Sequence, residues 1–163
     1  MVCPLLAQRS KKNKTMNLEF KKLYEMTCKD IPFVEKTGLE LLEARRGYVK
    51  FKMPLKGNEN HIQTMYVGAQ CVLTDLPGGA LFLTVFDNEK YFAVIKEMTV
   101  RYHKMAKTDL TIEGSLSEEN IERIQGELAE KGKSDFIIDF EMLDANEIAV
   151  TTSRVTFTGL KRR

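Results

Sequence analysis

The chain has 163 residues, 25 Lys and Arg against 23 Asp and Glu, 43% hydrophobic residues and a net charge of +2. One domain with a genuine apolar core fits that length and composition, and disordered, collagen-like and disulfide-scaffold classes do not. Arg9, Lys11, Lys12 and Lys14 carry the excess charge; without them 21 basic residues face 23 acidic ones, so no body-wide basic field for nucleic acid exists.

Residues 1–16 lead with a short apolar run and then turn basic, the reverse order of a signal peptide. They are expected to form a disordered extension, with residues 17–163 as the domain. Cys3, Cys28 and Cys71 are isolated, with no CxxC pair and no Cys/His cluster, so a zinc site is not expected and a reducing, cytoplasmic setting is. No stretch reaches the length of a membrane span.

In chain order, Asn17 caps a helix to Lys29 that Pro32 ends. Leu39 and Leu41 open a strand. Val49, Phe51 and Met53 alternate in the next, with Arg46-Gly47 as the hairpin turn. Pro54 to Asn60 is a polar loop. From Thr64 to about Phe86, apolar residues recur at helical spacing: Met65, Ala69, Val72, Leu73, Leu76, Ala80 and Leu83. Pro77-Gly78-Gly79 interrupts this helix and implies a kink or a backbone pressed against another surface; the alternative is that the helix ends there. Cys71 is expected to pack on it as a small hydrophobe.

From Phe92 the period falls to two, with Val94, Met98, Val100 and Tyr102 on one strand face. Leu110 and Ile112 mark another strand. Ser117 caps an amphipathic helix with Ile121, Ile124 and Leu128 as its stripe and Gly132 as its stop. Phe136 to Met142 alternate, Asp144-Ala145-Asn146 turns, and Ile148 to Leu160 is the last strand. About six antiparallel strands and one helix apolar nearly all round make an α+β domain whose sheet wraps that helix.

The chemistry concentrates in Asn60-His61-Ile62-Gln63-Thr64-Met65-Tyr66-Val67-Gly68-Ala69, followed by Asp75. A helix N-terminus offers free N–H groups to a developing negative charge, and a carboxylate within an oily helix needs a reason. That pairing points to attack on a carbonyl carbon with its oxygen held by Val67 and Gly68 N–H. Asn60 would position water or the carbonyl. Thr64 either does the same or merely caps the helix.

The segment resembles the hotdog-fold thioesterases, most closely the PaaI-like acyl-CoA branch, whose loop of the form N-H-x-G-T-M-H-x-G-A precedes an acid on the central helix. Asn60, His61, Thr64, Met65, Gly68, Ala69 and Asp75 match, as does Met98 to Ala106 in the following strand. Gln63 stands at the motif's Gly, and Tyr66-Val67 at its His-Gly. Tyr66 donates a hydrogen bond but takes no proton near neutrality, whereas Val67 keeps its N–H.

The resemblance implies hydrolysis of acyl-CoA thioesters with Asp75 as general base or nucleophile, no metal, and no cofactor beyond the coenzyme A of the substrate. From the residues themselves, His61, Thr64, Tyr66 and Lys104 are candidate substrate contacts, with Lys107 and Arg154 as further cations suited to phosphate and His103 at the mouth or in solvent. The resemblance also implies a homodimer, in some relatives a dimer of dimers, with sites between protomers. The rival expectation is a hotdog dimer that binds acyl-CoA or fatty acid without turnover. A dehydratase is less consistent, since its paired His and acid are not evident.

Overall fold

The computed structural model describes residues 19–163. The expected extension, the Asn17 cap and Cys3 lie outside the described residues. Helix α1 runs over 19–24 and passes directly into a π-helical turn, Glu25–Lys29. Pro32 does not simply end it: α2 (Pro32–Thr37) follows, with Pro32 at its start and Gly38 in the left-handed conformation at its end.

A six-stranded antiparallel sheet carries the domain: β1 (Glu40–Arg45), β2 (Tyr48–Met53), β3 (Tyr91–Tyr102), β4 (Leu110–Ser115), β5 (Lys133–Leu143) and β6 (Ala149–Lys161), in the spatial order β1-β2-β4-β5-β6-β3. Strands β1 and β3 are its edges. Gly47, with φ 68°, makes the β1–β2 turn. Helix α3 (Val67–Leu83) lies against β2, β3, β4 and β6, and α4 (Glu118–Lys131) packs on β5 and β6. Ser117 Oγ accepts the Asn120 N–H at 3.2 Å and Gly132 closes α4 with φ 70°, as the sequence pattern requires.

The central helix is shorter than its apolar pattern, starting after Tyr66 rather than at Thr64 and ending at Leu83. It runs unbroken through Pro77-Gly78-Gly79. Gly78 explains why: a Cβ there would lie 1.9 Å from the Phe157 ring, so only a bare backbone fits against β6. Gly79 faces open space. Phe157 stacks on Phe136 and Phe136 on Phe82, with centroids 5.4 and 5.8 Å apart, to form the centre of the core.

A bulge at Lys96 corrects the expected face of β3. Ile95 pairs with Phe157 and Glu97 with Thr156, so the alternation resets between them. Ile95, Met98, Val100 and Tyr102 therefore face α3, and Val94, opposite Thr158, turns to the outer side and is exposed.

Candidate functional site

The loop ahead of α3 is folded by its own polar groups. Asn60 Oδ1 accepts the Ile62 and Thr64 N–H groups at 3.0 and 3.1 Å, and Asn60 Nδ2 donates to Thr64 Oγ1 at 2.9 Å. Gln63 takes φ 61°, the left-handed geometry that glycine adopts without strain. Asn58, buried and unmarked by the sequence pattern, donates to Thr37 O and Pro54 O at 2.7 and 2.8 Å. Met65 N–H reaches Ala106 O at 2.8 Å and Tyr66 N–H reaches Asn58 O at 2.7 Å, which docks the start of α3 between the segment after β2 and the segment after β3.

Gln70 is the second positioning residue that the apolar periodicity hid. Its Nε2 donates to Met65 O at 3.3 Å, and its Oε1 accepts the Thr151 hydroxyl at 2.6 Å. A buried amide in an apolar helix follows the logic that singles out Asp75, and here it ties the first turn of α3 to β6. Thr64 is buried but does not cap the helix; the N-cap residue is Tyr66, with no side-chain cap. The N–H groups of Val67 and Gly68 belong to the first turn and have no intrahelical acceptor. The Tyr66 ring lies over Gly68, where a Cβ would meet Tyr66 Cε1 at 2.4 Å.

Asp75 stands on the outward side of α3, exposed in the single chain. Protein still surrounds its carboxyl closely enough for desolvation to raise its pKa above the usual aspartate value, with no charged or hydrogen-bonding partner contributing. Exposure and desolvation coexist because the side chain emerges from a helix otherwise embedded in its sheet. Cys71, one turn earlier, is half-exposed on the same side and not in the core as expected. Its Sγ lies 3.6 Å from Tyr102 OH, whose pKa is pushed up to about 12 by burial and, next, by that contact.

The remaining candidates are dispersed. His61 and Lys104 are exposed, at the loop tip and just after β3. His103 shares a hydrogen bond with Thr152 at 2.8 Å on the outer sheet face. Arg154 is also on that face, 3.6 Å from Asp139 and turned away from α3. Five exposed apolar side chains, Ile62, Tyr66, Val67, Tyr102 and Met105, gather around the N-terminal end of α3. A surface of that kind marks a contact region. A cavity of about 390 Å3 lies elsewhere, at the C-terminal end of α3, lined by Phe20, Leu23, Met26, Val85 and Phe86 among others.

Val67 and Gly68 precede Asp75 by eight and seven residues, which at 1.5 Å per residue separates them by about 11 Å along the helix. Within one chain these groups share a face but cannot touch one carbonyl.

Residues 20–158 match the family described as a domain of unknown function, DUF4442. The chain belongs to that family. It is similar to the crystal structure of PA5026 from Pseudomonas aeruginosa, a protein of unknown function described as a probable thioesterase, with 37% identity over 87% of this chain and 95% of that one and a TM-score of 0.82. Thioesterase PA1618 from the same organism, solved as a mutant, is 14% identical, with coverage of 88% and 94% and a TM-score of 0.68. Thioesterase HI1161 from Haemophilus influenzae is 11% identical, with coverage of 87% and 90% and a TM-score of 0.66. The latter two show the fold alone. Among proteins of curated function none matches. The DUF4442 chain is thus a hotdog domain, six antiparallel strands around a central helix. No helix among the described residues is long and apolar enough to cross a membrane.

Proposed function

We propose that this DUF4442 protein hydrolyses acyl-CoA thioesters at sites shared by two copies of the chain. The observation that carries the reading is the arrangement on α3. A first turn with free N–H groups and a desolvated carboxylate without partners lie on one face, too far apart to act on one carbonyl unless each comes from a different copy. The name of PA5026, probable thioesterase, agrees with it.

In this site the Val67 and Gly68 N–H groups of one copy donate to the developing oxyanion, helped by the positive end of the helix. Asp75 of the other copy takes the proton of an attacking water, or attacks directly to give an anhydride that water then opens; both routes release the coenzyme A thiol. Asn60 keeps one Nδ2 hydrogen beyond its bond to Thr64 for the carbonyl oxygen. Thr64 supports Asn60, Tyr66 and His61 line the entry, and Lys104, free of ion pairs among the described residues, meets a coenzyme A phosphate.

One observation favours binding without turnover: the Tyr66 ring pressed over Gly68 crowds the amide that the oxyanion would use. Steady-state assays against a panel of acyl-CoAs, with Asp75→Asn alongside, test the reading. Hydrolysis lost in Asp75→Asn supports it. Unchanged activity in that variant removes Asp75 from the mechanism, and thermal stabilisation by acyl-CoA without hydrolysis selects the binding alternative.

A further inference from the structure

The shared site also dictates the register in which two α3 helices meet. Helix α3 is buried in its own sheet except along Val67, Gly68, Cys71, Asp75, Gly79 and Leu83, a stripe recurring every three or four residues. The opposite surface of the molecule is a poor alternative seat. The outer sheet face carries ion pairs, Lys96 with Asp135 at 2.6 Å, Arg154 with Asp139 at 3.6 Å and Lys50 with Glu113 at 3.8 Å, around the exposed Val94 and Ile137.

A two-fold dimer presents the same patch from both copies. For positions 67–68 of each copy to lie opposite Asp75 of the other, the helices must run antiparallel, and the dyad must pass between them level with the midpoint of those positions. The midpoint is residue 71. We propose that Cys71 of one copy faces Cys71 of the other across the dyad, and that this contact sets the gap at both sites. The proposal rests on the two-copy site above.

Local structure agrees with a close crossing. Cys71 is small, and a Cβ on Gly79 would meet nothing within 4 Å, so the stripe is open for a neighbour at Gly79, while Tyr66 covers Gly68 and Tyr102 OH lies 3.6 Å from Cys71 Sγ. Helix axes packed at 8–10 Å, each with a Cα radius near 2.3 Å, bring facing Cα atoms to about 3.5–5.5 Å. That range overlaps the separation a disulfide spans. Four residues on either side of the crossing is about 6 Å along each axis, so the helices diverge there and leave room for a thioester.

The test is thiol cross-linking of the full-length protein. With diamide, each Cys71 Sγ gives up its hydrogen, an S–S bond forms, and the azo group takes both hydrogens to become a hydrazine. A dimer band on a non-reducing gel is expected from wild type and from Cys3→Ser, absent from Cys71→Ser, and reversed by a dithiol. Cys28 is 1% exposed and its thiol is pushed up by burial, so it stays silent. A short bis-maleimide repeats the measurement without oxidation. A Cys3→Ser protein that sediments as a dimer but cross-links through Cys71 with neither reagent overturns the register. The proposed hydrolysis fails separately: full activity in Asp75→Asn sinks that chemistry even where the Cys71 cross-link forms.

Discussion

Gly78→Ala isolates the contact that lets a helix containing Pro-Gly-Gly persist at the centre of the fold. The added Cβ would lie 1.9, 2.2 and 2.5 Å from three ring atoms of Phe157, where ordinary contact needs about 3.5 Å or more. Either α3 or the ring must retreat by more than 1 Å. The ring is held by Phe136, which is itself held by Phe82. Overpacking of this kind costs about 1–3 kcal/mol, against a helix-propensity gain of about 1 kcal/mol for Gly→Ala. Net destabilisation of up to about 2 kcal/mol lowers Tm by roughly 4–8 °C at this chain length. Gly126→Ala on the exposed side of α4 has open space around its Cβ and should instead gain about 0.5–1 kcal/mol. Urea and thermal unfolding of the three proteins give the comparison. Gly78→Ala more stable than wild type, with a gain like that of Gly126→Ala, would refute the close approach of α3 to β6.

Other outcomes follow from the site. Asp75→Asn should lower kcat by about 10²–10⁴-fold. Because desolvation raises the Asp75 pKa, the acidic limb of the wild-type rate profile should fall at a higher pH than an ordinary aspartate gives, and should vanish in the variant. The same shift has a sign in stability. Between the unfolded and the raised folded pKa the native state holds the extra proton, so wild-type stability declines as pH rises through that window, and Asp75→Asn, measured by unfolding at pH 4 and pH 7, should flatten the decline. Asn60→Ala removes the acceptor of two backbone N–H groups and should destabilise by about 1–3 kcal/mol, whereas Asn60→Asp, which keeps that acceptor, should retain most stability in chemical unfolding.

Much of this architecture is legible in the sequence where one physical rule acts alone. The α4 stripe, its Ser117 cap and Gly132 stop, and the Arg46-Gly47 hairpin are local decisions. Pro77-Gly78-Gly79 signals a tight approach, but only packing assigns it to Gly78 and leaves Gly79 open. The Lys96 bulge is not visible in a run of alternating residues, which is why Val94 changes face. Pro32 reads as a stop because proline ends the preceding helix; that it also starts α2 depends on Gly38 closing a single short turn. At the candidate site, residue types single out Asn60, Val67, Gly68 and Asp75 as proposed participants. Asn58 and Gln70 hold the loop and the helix start through long-range bonds to Thr37 and Thr151, which no spacing rule encodes. Cys71 looks like core because its neighbours are apolar, yet it lies on the one side of α3 that its own sheet leaves uncovered.

Mixing two inactive variants tests the two-copy site most directly. Val67→Pro removes one N–H of the proposed oxyanion site at a helix position that tolerates proline, and Asp75→Asn removes the proposed catalytic carboxylate. Co-refolded in equal amounts, half the dimers carry one of each chain, and one of the two sites in each such dimer is intact, so about one quarter of wild-type hydrolysis should return. Activity that stays at the level of the separate variants, in a mixture shown to exchange subunits, would contradict a site built from both chains.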